Sequence, residues 1–520
     1  MFAASVVSTL RENWHFVAAI VPLAIGYKLL RPAAVQKGRR MSFNSECLMG
    51  TFPAEAKVCA PIVNILLYFE KSPDPIELVA LFKSRLLPLD RWRQGLRKAG
   101  GSYSFVELPE DRVNADTLAK KHVTSTSVTS EAELMQLVDK IVLEEHIETD
   151  GVPLWRIHII TNTGTGVCGV LFRIHHVIGD GIALVNSMSK LFSDASGSVL
   201  DLGIAERMSG GTSPRSTRAA TKPALLQRLF SGTSFIFELI GSLFQVLALP
   251  ASKFDTNTAF LAPPNRAKMS MTPRRKTVVF PTMRLGFIKS LKDSAGATVN
   301  DVLLSATSGA IRRYCEKLQD NSMRDAANPP QARALVPVAF PRPKEKLADP
   351  AEAMQNYWAF ASIGMPIAEP SEMGRLRKTQ RITQAIKSSP IVGVQMWVQS
   401  NLLPLLPSFL VRQTALDLFA RHTVVFSNLP GPADTVFMCG KKLLGLQVVF
   451  PNILPQVLLI SYGGDVFFNM SVDDETVKPD LLKQCYLEEM RALAAALGVE
   501  CSDSVMLSRV SPGGVLGVVE

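Results

Sequence analysis

Two adjacent histidines, His175 and His176, lie shortly before an Asp-Gly pair in the segment LFRIHHVIGDGIAL, residues 171–184. The chain has seven histidines in 520 residues, so chance rarely produces this grouping. An imidazole with a pKa of about 6.5 can take the proton of a hydroxyl group near neutral pH, while that oxygen attacks a thioester. We therefore predict that His176 is the general base of an acyl transfer and that His175 supports it. The alternative is a pair of structural histidines beside a tight turn.

The elements predicted around these histidines would hold them at a cleft. Residues 167–174 are apolar apart from Gly169 and Arg173, a pattern that is typical of a buried strand. A helical pattern follows the motif, at Ile182, Val185, Met188, Leu191 and Phe192. Asp180 cannot easily reach the same point as His176, so we expect it to pair with a basic group, either Arg173 or one in another domain, and to hold the loop. Gly181 removes a side chain from the path of the substrate.

The composition indicates a globular protein of more than one domain. Apolar residues make up 47% of the chain and charged residues 20%, and 520 residues exceed one ordinary core. The net charge of +10 favours phosphate groups or a membrane surface as partners, whereas no nucleic-acid-binding module is recognisable, so we expect no nucleic acid. The seven cysteines include no C-x-x-C pair, which argues against disulfides and against a metal site.

Composition shifts divide the chain into five parts. The predicted parts are a hydrophobic segment with a basic flank (1–40), a first αβ domain (41–200), a linker with an apolar helix (201–275), a second αβ domain (276–510) and a tail (511–520). Runs of apolar residues predict strands at 62–69, 156–160, 424–426, 456–462 and 466–472. Ser130 with Glu133 is predicted to form a helix capping box, and Thr298 to cap a helix that continues to Tyr314.

Three apolar stretches raise the question of a membrane. An apolar run extends from Phe16 to Tyr27, and Leu29 and Leu30 continue it past Lys28. It is shorter than the roughly 20 residues that span a bilayer squarely, and the basic residues behind it would keep the rest of the chain cytosolic. We expect an anchor or an interfacial segment there, with a signal or transit peptide and a packed helix as alternatives. Residues 235–250 suit equally a helix in a membrane interface and a helix docked on a domain. Residues 394–419 could line a tunnel or touch lipid.

Several motifs together resemble the wax ester synthase/diacylglycerol acyltransferase family. HHVIGDG resembles the HHxxxDG motif of the coenzyme-A-dependent acyltransferase superfamily, to which that family belongs. The narrower likeness rests on segments that occur in the family's order: PLW followed by RIHII (153–160), GATVNDVLLSATSGAIRRY (296–314), FSNLPGP (426–432) and ISYGGDVFFNMSVD (460–473). The similarity covers about residues 50–500. The family's Pro-Leu-Ser-x-x-Asp opening motif is not recognisable near residues 46–51.

The resemblance implies an α/β (α+β) fold of two chloramphenicol-acetyltransferase-like domains with a substrate tunnel between them. Acyl-CoA would be the acyl donor and a long-chain alcohol or diacylglycerol the acceptor, in direct attack within a ternary complex, with no bound cofactor. Asn300 would orient substrate or stabilise the oxyanion, although a helix cap is its simpler role. Ser427 and Asn428 are weaker candidates. The hydrophobic N-terminus suggests a eukaryotic relative on the endoplasmic reticulum, with cytosolic catalytic domains.

Other functions remain open at this point. Peptide-condensation domains share the histidine motif, so a condensation-type acyltransferase that uses another acceptor is one alternative. Plant hydroxycinnamoyl-type transferases are a second, but their C-terminal DFGWG motif is absent from the chain. A non-catalytic lipid-binding protein that keeps the fold and associates with membranes is the third. The intact His176, Asp180 and Gly181 argue against this last alternative.

Overall fold

The computed structural model describes residues 39–51, 61–99, 102–164, 166–200, 225–261, 275–340, 342, 349, 353–406, 408–473 and 475–508. Apart from Arg39 and Arg40, the predicted N-terminal hydrophobic segment lies outside these residues, as do much of the linker and the whole tail. Within the described ranges, no helix is both long enough and apolar enough to cross a membrane.

The strands of the described residues run from β1 to β16. They are β1 (Arg39–Arg40), β2 (Ile62–Phe69), β3 (Gln94–Ala99), β4 (Ser102–Glu107), β5 (Val123–Val128), β6 (Trp155–Asn162), β7 (Cys168–His175), β8 (Arg275–Val279), β9 (Met283–Arg284), β10 (Ala332–Ala339), β11 (Trp358–Met365), β12 (Val424–Pro430), β13 (Phe437–Met438), β14 (Lys441–Val449), β15 (Gln456–Tyr462) and β16 (Asp465–Asp473).

The α-helices are numbered in the same way. They are α1 (Phe43–Thr51), α2 (Pro75–Arg85), α3 (Asp90–Arg93), α4 (Glu110–Val113), α5 (Ala115–Lys121), α6 (Glu131–Glu144), α7 (Gly181–Met188), α8 (Leu225–Ala248), α9 (Leu285–Ser294), α10 (Val299–Lys317), α11 (Glu372–Ser388), α12 (Ile391–Trp397), α13 (Ser408–Ala420), α14 (Pro479–Leu497) and α15 (Asp503–Met506). Helix α12 continues as a π-helical turn, Val398–Leu402, and then as a short 3-10 turn.

The first large sheet has the strand order β13-β14-β2-β7-β6-β5. Helix α6 covers one face through Leu134, Val138 and Ile141, and a second apolar cluster covers the other face, so the central strands are buried on both sides. Strand β14 comes from the second half of the chain and pairs antiparallel with β2. The two halves are therefore joined through a shared sheet as well as through the linker.

The second large sheet has the order β11-β10-β12-β15-β16-β8, and β9 pairs with the end of β16. Helices α9, α10 and α14 bury their apolar faces against it. Arg375 on α11 and Glu489 on α14 form a buried ion pair at 2.6 Å, which ties two helices of this layer together. A small third sheet, β1-β4-β3, lies beside the first.

The expected α/β architecture is confirmed, and five of the six predicted strands coincide with an observed strand or lie within one, while the sixth, 167–174, is offset by one residue from β7. Two local predictions need correction. His175 is the last residue of β7, whereas the strand was expected to end at Ile174. Ser130 caps α6, but the Glu133 carboxylate accepts a hydrogen bond from the Thr129 backbone N–H at 2.6 Å instead of from Ser130, so the capping box is incomplete.

Candidate active site

His176 follows directly after β7 and is held at both its backbone and its ring. Its backbone N–H donates to the Pro61 carbonyl at 2.7 Å, and its Nδ1 lies 3.1 Å from Oδ1 of Asn356. The ring also meets the edge of Phe450, with 5.6 Å between centroids. Because the amide oxygen can only accept, Nδ1 carries the hydrogen, and Nε2 keeps the lone pair that a general base needs.

Asn356 fixes this tautomer because its own amide is oriented by two further bonds. Its Nδ2 donates to the His176 carbonyl at 2.8 Å and to Oγ of Ser45 at 3.1 Å. With Nδ2 pointing this way, Oδ1 faces the imidazole, where it also accepts a weaker bond from the Trp358 indole at 3.4 Å. Sequence reasoning missed Asn356, since no motif marks the segment between β10 and β11 that carries it.

Burial keeps the imidazole neutral. It lowers the pKa of His176 below the usual 6.5, and the nearby Asp180 charge and the Asn356 hydrogen bond raise it only in part. His175 is 3% exposed, and burial lowers its pKa to about 3, with a further contribution from His176. The His175 backbone N–H donates to the Leu154 carbonyl in the PLW motif at 2.9 Å. The structure therefore places His175 in a buried position at the end of β7, and its support of His176 stays a prediction.

Asp180 joins the histidine motif to the segment that carries Asn356. One carboxylate oxygen accepts from the Ala183 N–H at 3.0 Å and so caps α7. The other accepts from Nη2 of Arg342 at 2.6 Å and from the Tyr357 N–H at 2.9 Å. The basic partner of Asp180 is therefore Arg342, in the second half of the chain, and not Arg173. Arg173 bonds instead to Oδ1 of Asn64 at 3.1 Å.

A cavity of about 790 Å³ extends from His176 between the two large sheets, within the usual size range of ligand pockets. Its wall is mainly apolar and comes from both halves of the chain, including Val63, Ile65, Leu67, Leu184, Val336, Val425, Leu446, Leu458 and Ile460. Gly181 belongs to the wall, and a Cβ there would lie 3.0 Å from the side chain of Leu429, which would have to shift by a few tenths of an ångström. Packing against Leu429 therefore favours a small residue at 181, and passage of the substrate past it stays a prediction.

Asn300 and Asn428 meet at another part of the same wall. Nδ2 of Asn428 donates to Oδ1 of Asn300 at 2.6 Å, and both residues line the cavity together with Ser427. Thr298, not Asn300, caps α10, in a complete capping box with Asp301. The side chain of Asn300 is thus available for the cavity, and the weaker candidate Asn428 is its direct partner.

Trp155 and Cys47 lie near the site, but their surroundings indicate a structural role. Trp155 of the PLW motif is buried, donates from Nε1 to the Trp92 carbonyl at 2.8 Å and packs on Phe82, so it supports the sheet below His176. Cys47 on α1 lines the cavity, but burial raises its pKa to about 12, which makes a thiolate nucleophile unfavourable there. Among the described residues, no three His, Cys, Asp or Glu side chains are grouped to hold a metal ion.

Comparison with known families and proteins gives a consistent result. The family model described as the wax ester synthase/diacylglycerol acyltransferase catalytic domain matches residues 110–303, and the WS/DGAT C-terminal domain matches residues 354–494. Wax ester synthase/diacylglycerol acyltransferase 1 of Arabidopsis thaliana is 23% identical over 376 residues, which cover 66% of this chain and 72% of that protein. A probable diacylglycerol O-acyltransferase of Mycobacterium tuberculosis is 23% identical over 421 residues, covering 76% and 85%.

Solved structures show the same fold. The wax ester synthase/diacylglycerol acyltransferase from Marinobacter aquaeolei VT8 superposes with a TM-score of 0.55 at 17% identity, over 89% of this chain and 100% of that one. The first condensation domain of the calcium-dependent antibiotic synthetase gives 0.56 at 10% identity, over 92% and 100%. These identities establish the two-domain fold alone, whereas the sequence matches are specific to one family. Because the catalytic and C-terminal parts of that family are both matched, in order, along one chain, the chain belongs to the wax ester synthase/diacylglycerol acyltransferase family and is an acyltransferase.

Proposed function

We propose that this enzyme transfers a fatty acyl group from acyl-CoA to the hydroxyl of a long-chain alcohol or of diacylglycerol, with His176 as the general base. The observation that carries the proposal is the neutral imidazole of His176, held through Nδ1 by Asn356, in the wall of a mainly apolar cavity. Such a cavity suits alkyl chains, and His176, the one histidine among the described residues that line it, suits proton removal from an alcohol.

The chemistry follows from the tautomer. Nε2 takes the hydroxyl proton while the alcohol oxygen attacks the thioester carbonyl, and the imidazolium then returns that proton to the departing CoA sulfur. The side-chain oxygen of Asn356 accepts a hydrogen bond from the Nδ1–H group throughout the reaction, which keeps the ring oriented. Asn428 uses one side-chain amide hydrogen to bond Asn300. Its second hydrogen and the two side-chain amide hydrogens of Asn300 are the candidate donors to the oxyanion. No covalent acyl-enzyme is required.

We propose that long-chain alcohols are used at least as well as diacylglycerol. The cavity of about 790 Å³ has to hold the acyl chain and the acceptor together, and a primary alcohol is slimmer than a lipid with two ester chains. The purified full chain, given labelled acyl-CoA with each acceptor in turn, should therefore form wax ester at a rate equal to or above that of triacylglycerol. Triacylglycerol without wax ester would overturn this order of preference. Formation of neither product would overturn the function.

Asn356 is proposed as a positioning residue, and the pH profile tests it. Asn356→Asp places a carboxylate beside Nδ1, which stabilises the imidazolium and raises the pKa of His176. A base with a raised pKa is protonated at higher pH, so the acid limb of kcat/KM should move upward by about one pH unit or more. The measurement is kcat/KM from about pH 5 to about pH 9.

Two variants complete that experiment. Asn356→Ala should lower kcat about tenfold or more without moving the acid limb upward, because it removes orientation and adds no charge. Gln136→Glu, an equivalent change at an exposed position on α6, should leave the profile unchanged. An acid limb at the same pH in Asn356→Asp and in the parent enzyme would show that Asn356 does not act on the base.

We further propose that the enzyme works at a membrane surface, with the endoplasmic reticulum as the expected membrane and the catalytic halves in the cytosol. Both proposed acceptors are nearly insoluble in water, so they have to reach His176 from a lipid phase. The basic residues that follow the apolar stretch 16–30 favour a cytosolic position for what comes after it.

A further inference from the structure

Large exposed apolar side chains gather on two helices that pack together, α8 and α12. The exposed fractions are 53% for Phe235, 55% for Ile236, 74% for Phe237, 46% for Ile240 and 56% for Trp397. We call these five residues the apolar surface. Buried contacts among Leu247, Val394 and Val398, with Leu239 and Leu243 beside them, hold the two helices against each other. Five large exposed apolar side chains on one pair of packed helices are more than scattered surface residues account for, and they indicate a place of interaction.

The sequence around the apolar surface is almost free of charge. Residues 388–411 contain no Asp, Glu, Lys or Arg, and between Arg228 and Lys253 the single charged residue is Glu238. Placing charged side chains in a lipid interface costs free energy, and tryptophan favours the boundary between lipid and water. The pattern therefore fits contact with lipid better than an ordinary solvent-facing pair of helices.

The same two helices also form part of the cavity wall. Val246 and Leu247 near the C-terminal end of α8 line the cavity, and so do Val392, Gln395 and Val398 on the α12 side. Residues 235–238 and Ile240 of α8 are exposed, whereas residues 241–248 are largely buried or half-buried. One apolar layer therefore leads from the outside of the molecule to the cavity that contains His176.

Basic residues border this layer. Lys253 is exposed directly after the 3-10 turn Leu249–Ala251 that ends α8, next to Phe254, which is 45% exposed. Helix α13 contacts that turn and carries the exposed Arg412. These positive charges lie at the C-terminal end of α8, where the layer reaches the cavity, and not beside Phe237; positive charge next to an apolar layer matches anionic lipid headgroups, in line with the net charge of +10.

We infer that the apolar surface is where this enzyme docks on a lipid bilayer, and that the acceptor passes from the bilayer along α8 and α12 into the cavity. This inference rests on the proposed function, because it concerns how an insoluble acceptor arrives. A lipid surface is the occupant that the continuity with the cavity favours. Three other occupants would cover the same side chains without delivering substrate: a second copy of the chain, another protein, or residues 1–38.

The test compares two acceptors in the same enzyme. The full chain carrying Phe237→Asp and Trp397→Asp is assayed with hexadecanol in phosphatidylcholine–phosphatidylserine vesicles and with hexanol dissolved in water. Neither replaced residue lines the cavity. The vesicle rate should fall about tenfold or more relative to the dissolved rate, since two acidic groups weaken insertion into the interface. Ile76→Asp is the matched control, because Ile76 is 80% exposed on α2, and its ratio of rates should stay that of the parent.

Each result has a definite meaning. An unchanged ratio of rates in the double variant overturns the inference, and so does an equal loss with both acceptors, because the residues would then serve the fold or the chemistry. An unchanged ratio with an altered mass in solution assigns the apolar surface to a second copy of the chain and equally overturns it. A parent enzyme that is inactive with both alcohols counts against the proposed function. Flotation with the same vesicles then decides the docking inference: the double variant should bind much more weakly than Ile76→Asp, and equal binding overturns it.

Discussion

Replacement of His176 by alanine is expected to lower kcat by about 10²- to 10⁴-fold while the protein remains folded, since a general base contributes on that order. The substitution removes Nε2 but keeps both backbone bonds of residue 176, to the Pro61 carbonyl and from Nδ2 of Asn356. The loop should therefore keep its shape. The measurement is kcat with one acyl-CoA and one long-chain alcohol, together with the thermal unfolding midpoint.

Two other histidines make this result specific. His146→Ala changes an exposed residue and should keep the activity of the parent. His175→Ala removes a buried ring and should lower the unfolding midpoint along with activity, because it leaves a cavity inside the sheet. A His176→Ala enzyme with nearly full turnover would show that another group takes the proton.

Six of the sixteen described strands were predictable because their signal, a mainly apolar run, is local. The run 62–69 is apolar at nearly every position, and it forms β2 with every residue buried. The pairing of β2 with β14, on the side opposite β7, was not predictable in the same way. Strand β14 begins at Lys441, more than 300 residues along the chain, and it mixes polar and apolar residues that periodicity does not distinguish from a loop. Long-range pairing of this kind is determined by the closure of the whole fold.

The residues of the site likewise fall into those with a local sequence signal and those without one. His176, Asp180 and Gly181 carry a sequence motif because three types of residue are required at fixed spacing. Asn356 has no such signal, since an asparagine in a loop is ordinary turn chemistry until the fold brings it against an imidazole. Arg342 was predictable only as a basic group of unknown position, because the ion pair joins residues 162 positions apart.

The role of Asn300 depends on which neighbouring residue caps α10. A polar residue in the first turn of a helix is commonly a cap, and sequence alone favours that role for Asn300. In the structure Thr298 occupies the cap position and Asp301 completes the box, which Thr383 further stabilises by donating to the Asp301 carboxylate at 2.7 Å. The side chain of Asn300 is thereby left to pair with Asn428 at the cavity.

Asp180→Ala is expected to destabilise the fold by about 3–5 kcal/mol, because it breaks a buried ion pair and leaves one charge without its partner. The side chains of Asp180 and Arg342 are only 4% and 6% exposed, so water cannot replace the lost contact. The α7 cap and the bond from the Tyr357 N–H disappear as well. Activity should fall together with stability, since the segment that holds Asn356 loses its attachment.

The measurement is denaturant unfolding at neutral pH, with kcat measured on the same preparations. Asp180→Asn should be less severe than Asp180→Ala, because one oxygen remains to accept a backbone N–H, but Arg342 is still left unpaired. Asp503→Asn is the control, since Asp503 pairs with Arg491 at an exposed site and its loss should change the midpoint little. An Asp180→Asn enzyme of parent stability that had lost turnover would assign Asp180 a direct part in proton transfer.

The charge itself can be separated from the structural bonds by a second substitution. In Asp180→Asn combined with Arg342→Met, no unpaired charge remains, and an apolar side chain fills the space of the guanidinium stem. This double variant should be more stable than Asp180→Asn alone, whereas activity should recover only in part, because the Gln355 carbonyl also loses its bond from Arg342. If the two substitutions instead added their separate costs, the interaction between the two side chains would contribute nothing, and the motif aspartate would act through its cap and the Tyr357 bond alone.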